Sequence, residues 1–229
     1  MDTPNLFSLF QFADGLFPAG AYAHSLGLET AVQAGEVQDA AGVERFISAY
    51  LEMSAGPLDA VAVSCSWQSA RNEDFEACLS LDAALEAMKP ASELRDASRQ
   101  MGRQTARVGA HLCKNRTLEH FYKGIEARST PGHHAIAFGI AGSAFGWPRR
   151  ATVAAYLYSS GAALASASLR LLRLGQLEAQ RVLWNLAPLL ARLAADACSR
   201  RPEEMWSFAP AQEIASMRHA HLEARLFRS

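Results

Sequence analysis

The sequence predicts an all-α fold, a single-domain helical bundle of about ten helices with no sheet. Three observations predict it. Apolar residues recur every three or four positions, as in Val43, Phe46, Ile47 and Tyr50, which is the period of one helix face. Glycine, proline and capping residues separate these segments at helix-length intervals. Alternating runs rich in β-branched residues, which indicate strands, are nearly absent. No linker-like stretch interrupts the 229 residues, so one domain is expected over 1–229.

The N-terminal half is predicted to contain five helices. We expect Thr3 to cap the first, with a proline at its first helical position, and a turn at 14–20 to follow it. The second is expected over about 23–34. The remaining start and stop signals in this half are Asp39 and Asn72 as caps of the third and fifth helices, and Gly56-Pro57 as a break before the fourth.

The C-terminal half is predicted to contain longer helices separated by glycine and proline. Pro90 and Ser92 are expected to open a sixth helix that runs to about Leu112. The predicted segments that follow are a short helix around 118–125, a helix from His134 to Phe145, an Ala/Ser-rich helix from Pro148 to Leu174, an amphipathic helix over 177–193 with a kink at Pro188, and a short last helix from Ala211.

Composition and charge narrow the class of function. Half of the residues are hydrophobic, enough to bury a sizeable core, and the net charge is −1. A nearly neutral chain lacks the positive field that attracts nucleic acid or an anionic membrane, so neither partner is predicted. The four scattered cysteines form no C-x-x-C pair, which indicates a reducing compartment. The start shows no signal-peptide pattern, and the run 151–169 holds too much serine for a lipid-facing span. We therefore expect a cytoplasmic protein.

The search for catalytic motifs favours a non-enzymatic protein. The sequence contains no G-x-x-x-x-G-K-[ST] phosphate loop and no G-x-S-x-G nucleophile elbow. Ser25 directly follows His24, and adjacent residues of a helix do not face each other. An alternative from another class stays open, which is a helical enzyme with a site around His24, Glu29 and Arg99.

The histidines do not form a metal-binding pattern, and no metal site is predicted. Two ligands on one helical face need a spacing of about three or four residues. His219 and His221 are two residues apart, and His133 and His134 are adjacent. These side chains are therefore interpreted as ordinary polar or interface histidines, with a metal site assembled between subunits left open.

Four arginines fall at successive four-residue steps on the predicted sixth helix. This arginine ridge consists of Arg95, Arg99, Arg103 and Arg107. Residues four positions apart lie on successive turns of a helix, so these four side chains share one face that shifts gradually around the helix axis. One interpretation is a solvated face with Glu93 and Asp96 as local partners. The other is a docking surface for an acidic partner, or an arginine presented to a GTPase.

The Ala/Ser-rich helix also has two interpretations. Small residues let helices approach closely, so the segment 151–168 suits core packing. It equally suits a homodimer interface, for which the candidate residues are Tyr156, Tyr158 and Ser160.

Strings of residues along nearly the whole chain resemble the UreF family of urease accessory proteins. In family order they are Phe17-Pro-Ala-Gly20 with His24-Ser-Leu-Gly-Leu-Glu29, Pro57-Leu-Asp59, Glu93-Leu-Arg95 with Ser98-Arg-Gln-Met-Gly102, Ala137-Phe-Gly139, Tyr156-Leu-Tyr158, Leu174-Gly-Gln176, and the finish Ile214 to His219 with Arg225 to Ser229. The chain departs from the family at Glu223, where the family usually has a tyrosine.

The resemblance implies an all-helical homodimer that acts as a non-enzymatic adaptor. The implied partners are the accessory scaffold called UreD or UreH, the GTPase UreG and apo-urease, and the implied role is support of GTP-dependent nickel insertion. No stably bound cofactor is implied, because the complex handles the nickel. A nickel-carrying metallochaperone is an alternative. The partner-binding candidates at the matched ends are His24, Glu29, His219, Arg225, Phe227 and Arg228.

The last residues, 218–229, are expected to form a flexible tail. Chain ends are ordered only when they are tied down, and this segment carries an excess of arginine. We therefore expect it to pack little against its own core and to become ordered on a partner. Phe227 would be the buried anchor, and Arg225 and Arg228 its charged rim.

Overall fold

The computed structural model describes residues 2–228, and within that range the chain forms helices and no strand. The α-helices are α1 (Thr3–Ala13), α2 (Leu28–Gln33), α3 (Ala40–Tyr50), α4 (Val61–Arg71), α5 (Phe75–Met88), α6 (Ser92–Leu112), α7 (Arg116–Glu126), α8 (His134–Ala144), α9 (Arg149–Leu171), α10 (Gln176–Ser199) and α11 (Pro210–His219). Short 3₁₀ turns occupy Ala21–Ala23 and Pro202–Glu204, and a π-helix occupies Leu51–Ala60. The predicted all-α class is confirmed.

The centre of the bundle is α8, in which residues 134–142 are all buried. A helix that is apolar on every side must be surrounded, and α4, α6, α7 and α9 pack around it. Glycines allow the close approach. A Cβ at Gly139 would overlap Ser66 Oγ of α4, and a Cβ at Gly102 of α6 would overlap the carbonyl oxygen of Gly132. None of the helices within 2–228 is long and apolar enough to cross a membrane.

The predicted break at Gly56-Pro57 is wrong. The chain passes from α3 through the π-helix into α4 without leaving helical conformation. The wider winding of a π-helix accommodates Pro57, whose ring and missing N–H disrupt an α-turn. Residues 55–60 are buried, and Gly56 lies against α10, where an added Cβ would be 2.9 Å from Leu193 Cδ2. This packing keeps the segment helical.

The predicted helix caps are confirmed at one position and wrong at two. Asp39 caps α3 as predicted, because its Oδ1 accepts a hydrogen bond of 2.7 Å from the Gly42 amide. The cap of α1 is Asp2 rather than Thr3, and the cap of α5 is Asp74 rather than Asn72. In both cases a carboxylate close to the predicted cap accepts the amide hydrogen bond.

Two other helices differ in extent from the prediction. The second helix begins only at Leu28, because Leu26 and Gly27 have φ angles of 50° and 90° and cannot belong to a right-handed helix. In contrast, α10 continues past Pro188 to Ser199 as one element. The sixth helix begins and ends where the sequence predicts, at Ser92 and Leu112.

Candidate partner-binding site at the joined chain ends

The two ends of the chain meet where α2 contacts α11. Gly27 precedes α2 in a left-handed conformation, and its missing side chain makes room for α11. A Cβ at Gly27 would lie 3.1 Å from the Gln212 carbonyl oxygen and 3.2 Å from Ala215 Cβ. The Gln212 side-chain amide also donates a hydrogen bond of 3.1 Å to the Leu26 carbonyl oxygen. The turn before α2 therefore fixes α11, and it places Glu29 beside that helix with only 1% of its surface exposed.

His219, at the end of α11, lies between two carboxylates. Its Nε2 is 2.9 Å from Glu29 Oε2 and its Nδ1 is 2.9 Å from Glu93 Oε2, and its side chain is fully buried. Each ring nitrogen therefore faces a carboxylate oxygen at hydrogen-bond distance. Arg225 adds a positive charge on the other side of Glu93, with Nη1 3.5 Å from Glu93 Oε1. The two carboxylates are thus bridged by one histidine ring.

The last residues bind the same carboxylate. The backbone N–H of Leu226 donates to Glu29 Oε1 over 2.7 Å, and that of Phe227 donates to Glu29 Oε2 over 3.1 Å. The Arg228 amide donates to the Ala23 carbonyl oxygen over 2.8 Å. We call this arrangement the C-terminal clasp, defined by Glu29, Glu93, His219 and residues 224–228.

The clasp corrects the expectation of a flexible tail. Phe227 is 4% exposed and belongs to the hydrophobic core. The guanidinium of Arg170 lies 4.1 Å above its ring and donates to the Tyr22 carbonyl oxygen over 2.6 Å. The prediction that the segment packs little against its own core is therefore wrong for His219 and Phe227, which are buried. The physical reason is that Glu29 offers a buried acceptor to amides that would otherwise need water.

The residues of the alternative enzyme site have other contacts. His24 is 4% exposed, and burial, with a smaller contribution from the positive charge of Arg228, lowers its pKa to about 4. Its imidazole is therefore neutral near pH 7. Glu29 is held by His219 and the tail amides, as described, while Arg99 binds the carboxylate of Glu86 on α5. Glu29 and Arg99 are thus engaged by different side chains.

Similarity to known proteins shows the family of this chain. A family model described as UreF matches residues 37–187. The urease accessory protein UreF of Bacillus sp. (strain TB-90) is 31% identical over 224 residues, which cover 98% of this chain and 99% of that protein. The chain belongs to the UreF family. Of the clasp, Glu93 lies inside the segment that the UreF model matches, while Glu29, His219 and residues 224–228 lie outside it.

Further UreF relatives match to the same extent. The urease accessory protein UreF of Trichodesmium erythraeum (strain IMS101) is 32% identical over 228 residues, covering 99% of this chain and 97% of that protein. That of Cereibacter sphaeroides (strain ATCC 17025 / ATH 2.4.3) is 32% identical over 224 residues, with 98% of each chain covered. These names give the UreF relatives an accessory role for urease.

In this UreF chain the arginine ridge is engaged by carboxylates of neighbouring helices. Arg95 and Arg99 both contact Glu86 of α5, and Arg103 Nε lies 2.8 Å from Glu126 Oε1 of α7. The solvated-face interpretation named Glu93 and Asp96 as partners, and of these only Asp96 contacts the ridge, through Arg99. Three of the four arginines thus pair with two acidic side chains from other helices.

The fourth member of the ridge is placed differently. Arg107 is exposed and borders a hollow between α6 and α7 that Leu112, Tyr122 and Lys123 also line. The Arg107 side chain is therefore accessible to a partner from this hollow.

Beneath the ridge lies a buried polar cluster that the sequence analysis missed. Asp82, fully buried, accepts a hydrogen bond of 2.8 Å from the His133 amide. The His133 ring then contacts Glu86, with Nε2 3.0 Å from Oε2. Partial burial acts to raise the pKa of Glu86, but the hydrogen bonds and charges of Arg99 and His133 outweigh it and hold that pKa below its usual value. The cluster therefore fixes the Glu86 carboxylate, which contacts Arg95 and Arg99, two of the four arginines of the ridge.

The dimer candidates on α9 divide between core and surface. Tyr156 is 4% exposed and packs against the rings of His134 and Phe138, at centroid distances of 5.1 and 5.7 Å. It cannot be an interface anchor in this conformation. Ser160 is half-buried and donates to the Tyr156 carbonyl oxygen over 2.9 Å. Only Tyr158, 47% exposed, is accessible to another chain.

Metal ligands do not cluster in the described part of the chain. No group of three or more His, Cys, Asp or Glu side chains in residues 2–228 has the arrangement of a metal site. His219 uses both ring nitrogens for carboxylates, so neither is available as a ligand while the clasp is closed.

Proposed function

We propose that this chain is a cytoplasmic adaptor of urease maturation. As a homodimer, and together with the UreD or UreH scaffold and the GTPase UreG, it assembles on apo-urease and supports GTP-dependent nickel insertion. The observation that carries the proposal is the end-to-end similarity to proteins named urease accessory protein UreF. Nickel is the cargo of the assembly, and this chain regulates the partner GTPase without an active site of its own.

The clasp supports this proposal because it presents the arginine-rich end as a fixed surface. Leu226 and Tyr22 are 69% and 63% exposed. The exposed Arg225 and Arg228 flank Leu226 along the chain, and the exposed Arg170 of α9 contacts the Tyr22 carbonyl oxygen. An apolar centre with a cationic rim fits an acidic partner surface. The apolar anchor offered to a partner is therefore Leu226, since Phe227 is buried in its own chain.

A fixed surface also favours binding energetically. A disordered tail loses backbone and side-chain freedom when it binds, at a cost of about 0.5–1.5 kcal/mol for each immobilised flexible side chain. The hydrogen bonds from Leu226 and Phe227 to Glu29 order this segment before any partner arrives. A partner that recognises the clasp would therefore meet a preformed surface.

The test is co-purification with the scaffold and the GTPase, with and without GTP. Leu226→Asp should lose the partner complex and keep its melting temperature, because the side chain is exposed. Leu16→Asp is the matched control, since Leu16 is 93% exposed in the turn after α1, and it should retain the complex. An intact complex with Leu226→Asp would contradict this docking surface. Failure of the unmodified chain to bind any urease accessory protein would contradict the proposed function itself.

A further inference from the structure

The hollow between α6 and α7 has a volume of about 580 Å³. The two helices pack against each other and are joined by only three residues, 113–115. A volume of this size can receive the side chains of a short segment of another molecule. We call this feature the α6–α7 hollow. Its lining includes Arg107, Val108 and Leu112 of α6, and Glu119, Tyr122 and Lys123 of α7.

Two cations of the hollow have no carboxylate partner in the part of the chain that the structure describes. Arg107 and Lys123 are both exposed, and neither forms an ion pair within residues 2–228. In contrast, Arg103, one turn earlier on α6, is bound by Glu126 of α7. The carboxylate that lines the hollow, Glu119, is half-buried. The open side of the hollow is therefore positively charged.

Apolar surface lies beside these charges. Leu112 is a large aliphatic residue with 51% of its surface exposed. Val108 and Tyr122 are half-buried and pack against the hydrophobic core, which gives the hollow a firm apolar floor. An apolar centre with charged groups at its edge is typical of protein–protein interfaces, whereas nucleic acid is bound by surfaces that are far more polar and positive. The lining therefore favours a protein partner.

The positive charge continues along the two helices. A neighbouring hollow of about 530 Å³ is lined by Arg103 and Glu126, and also by Arg128. Arg103 lies about one helical turn from Arg107, and Glu126 about one turn from Lys123, so the two hollows follow each other. The Arg103–Glu126 pair between them is exposed, and exposed ion pairs are weak in water. A carboxylate of a partner can therefore take the place of Glu126.

The hollow lies apart from the C-terminal clasp. Glu93 of the clasp is in the first turn of α6, and Arg107 follows it by 14 residues. At about 1.5 Å per residue, this spacing corresponds to roughly 21 Å along the helix. A partner in the hollow therefore leaves the clasp accessible, and α6 connects the two places.

We propose that the α6–α7 hollow binds an acidic segment of a protein partner. Carboxylates of the segment pair with Arg107 and Lys123, and an apolar side chain of the segment packs against Leu112 and Tyr122. Charge complementarity decides the class of partner, because two unpaired cations at an open rim attract carboxylates. The proposal goes beyond the adaptor function, since it adds a docking point that the clasp does not supply. One short segment binds with a dissociation constant of about 10–100 μM.

The test is fluorescence anisotropy of a labelled synthetic peptide with the purified full chain. The fluorescein-labelled peptide carries leucines flanked by glutamates, and the protein is titrated to about 1 mM, well above the expected dissociation constant. A peptide with glutamines in place of the glutamates should bind at least about tenfold more weakly. Sodium chloride should weaken the acidic peptide, because it screens exposed charges.

Charge reversal locates the cationic part of the site. The double variant Arg107→Glu with Lys123→Glu should bind the acidic peptide at least about tenfold more weakly and keep its melting temperature, since both side chains are exposed. Arg45→Glu with Arg150→Glu is the matched control. Arg45 and Arg150 are exposed on α3 and α9, so this variant has the same total charge, and it should bind like the unmodified chain.

A neutral substitution tests the apolar part. Leu112→Ser should weaken the peptide about threefold to tenfold, whereas Leu16→Ser, at a side chain 93% exposed in the turn after α1, should not. Diffuse positive charge alone would not distinguish these two variants.

Four results would each overturn the proposal. They are equal binding of the glutamine peptide, equal loss in the two double variants, loss through Leu226→Asp in place of the hollow variants, and preference of the chain for a labelled single-stranded oligonucleotide. Urease activation by a chain that binds no acidic peptide would leave the adaptor function standing. The two failures are therefore distinguishable.

Discussion

His219 and Glu29 are joined by a hydrogen bond of 2.9 Å, although 190 residues separate them along the chain. The same carboxylate accepts the amide protons of Leu226 and Phe227. One buried side chain of α2 thus holds both the last helix and the segment that follows it. A buried acceptor with three charged or polar donors fixes its surroundings more strongly than any surface ion pair.

Replacing Glu29 by Ala should release the clasp. The substitution leaves the His219 ring and two backbone N–H groups without their acceptor, and each buried donor left unsatisfied costs about 1–3 kcal/mol. We expect a lower free energy of unfolding in urea and fast amide hydrogen exchange at Leu226 and Phe227. Glu36→Ala is the control, because Glu36 is exposed, and it should leave both quantities unchanged. Protected tail amides in Glu29→Ala would contradict the clasp.

Phe227 should behave as a core residue. Truncation of a buried phenylalanine costs about 3–5 kcal/mol, which for a chain of this size lowers the melting temperature by roughly 6–20 °C at 2–4 °C per kcal/mol. Phe227→Ala should show this loss in a thermal unfolding scan. Phe208, 66% exposed, provides the matched Phe→Ala control, with an expected effect within about 0.5 kcal/mol. Equal melting temperatures of the two variants would show that the tail does not contribute to the core.

Close helix contact at α8 should make Gly139 intolerant of a methyl group. A Cβ there overlaps Ser66 Oγ, so Gly139→Ala must push α4 and α8 apart, and overpacking of this kind costs about 1–3 kcal/mol. Gly15→Ala is the matched control, because an added Cβ at Gly15 has no neighbour within 4 Å. Urea unfolding of the two variants measures the difference. A Gly139→Ala chain as stable as Gly15→Ala would refute the close approach.

His24 and His134 should remain neutral far below the usual pH for histidine. Burial lowers the pKa of each to about 4. The pKa of each histidine is 6.5 in the unfolded chain, so between pH 6.5 and pH 4 the unfolded chain binds protons that the folded chain does not. The contribution of these groups to the free energy of unfolding is therefore complete above pH 6.5 and is lost as the pH falls towards 4. Each site contributes a loss of at most about 3 kcal/mol at the acid end. A site-resolved NMR titration checks this, and protonation of either ring above pH 6 would contradict it.

Local sequence signals predicted the fold where the deciding contacts are local. The period of three to four residues gave the all-α class, and Asp39 and the bounds of α6 depend on residues a few positions away. The prediction of a break at Gly56-Pro57 was wrong because the conformation of this segment depends on packing of the π-helix against α10. A turn signal carries no information about a partner more than 100 residues further along the chain.

The sequence predicted residues of the candidate site at each end of the chain, but not the contacts between the two ends. The four-residue spacing located the arginine ridge but not Glu86 and Glu126, which other helices bring to it. Likewise, the family resemblance marked Glu29 and His219 without showing that they touch. Asp82 gave no signal at all, because a buried carboxylate that accepts backbone amides has no sequence pattern of its own.

The most direct test of the central claim is urease activity in cells that produce urease, UreD or UreH and UreG but lack their own UreF. The account predicts that adding this chain restores activity and urease-bound nickel, and that Glu36→Ala restores them equally while Leu226→Asp does not. Urease that stays inactive and nickel-free in the presence of the folded, unmodified chain would contradict the account.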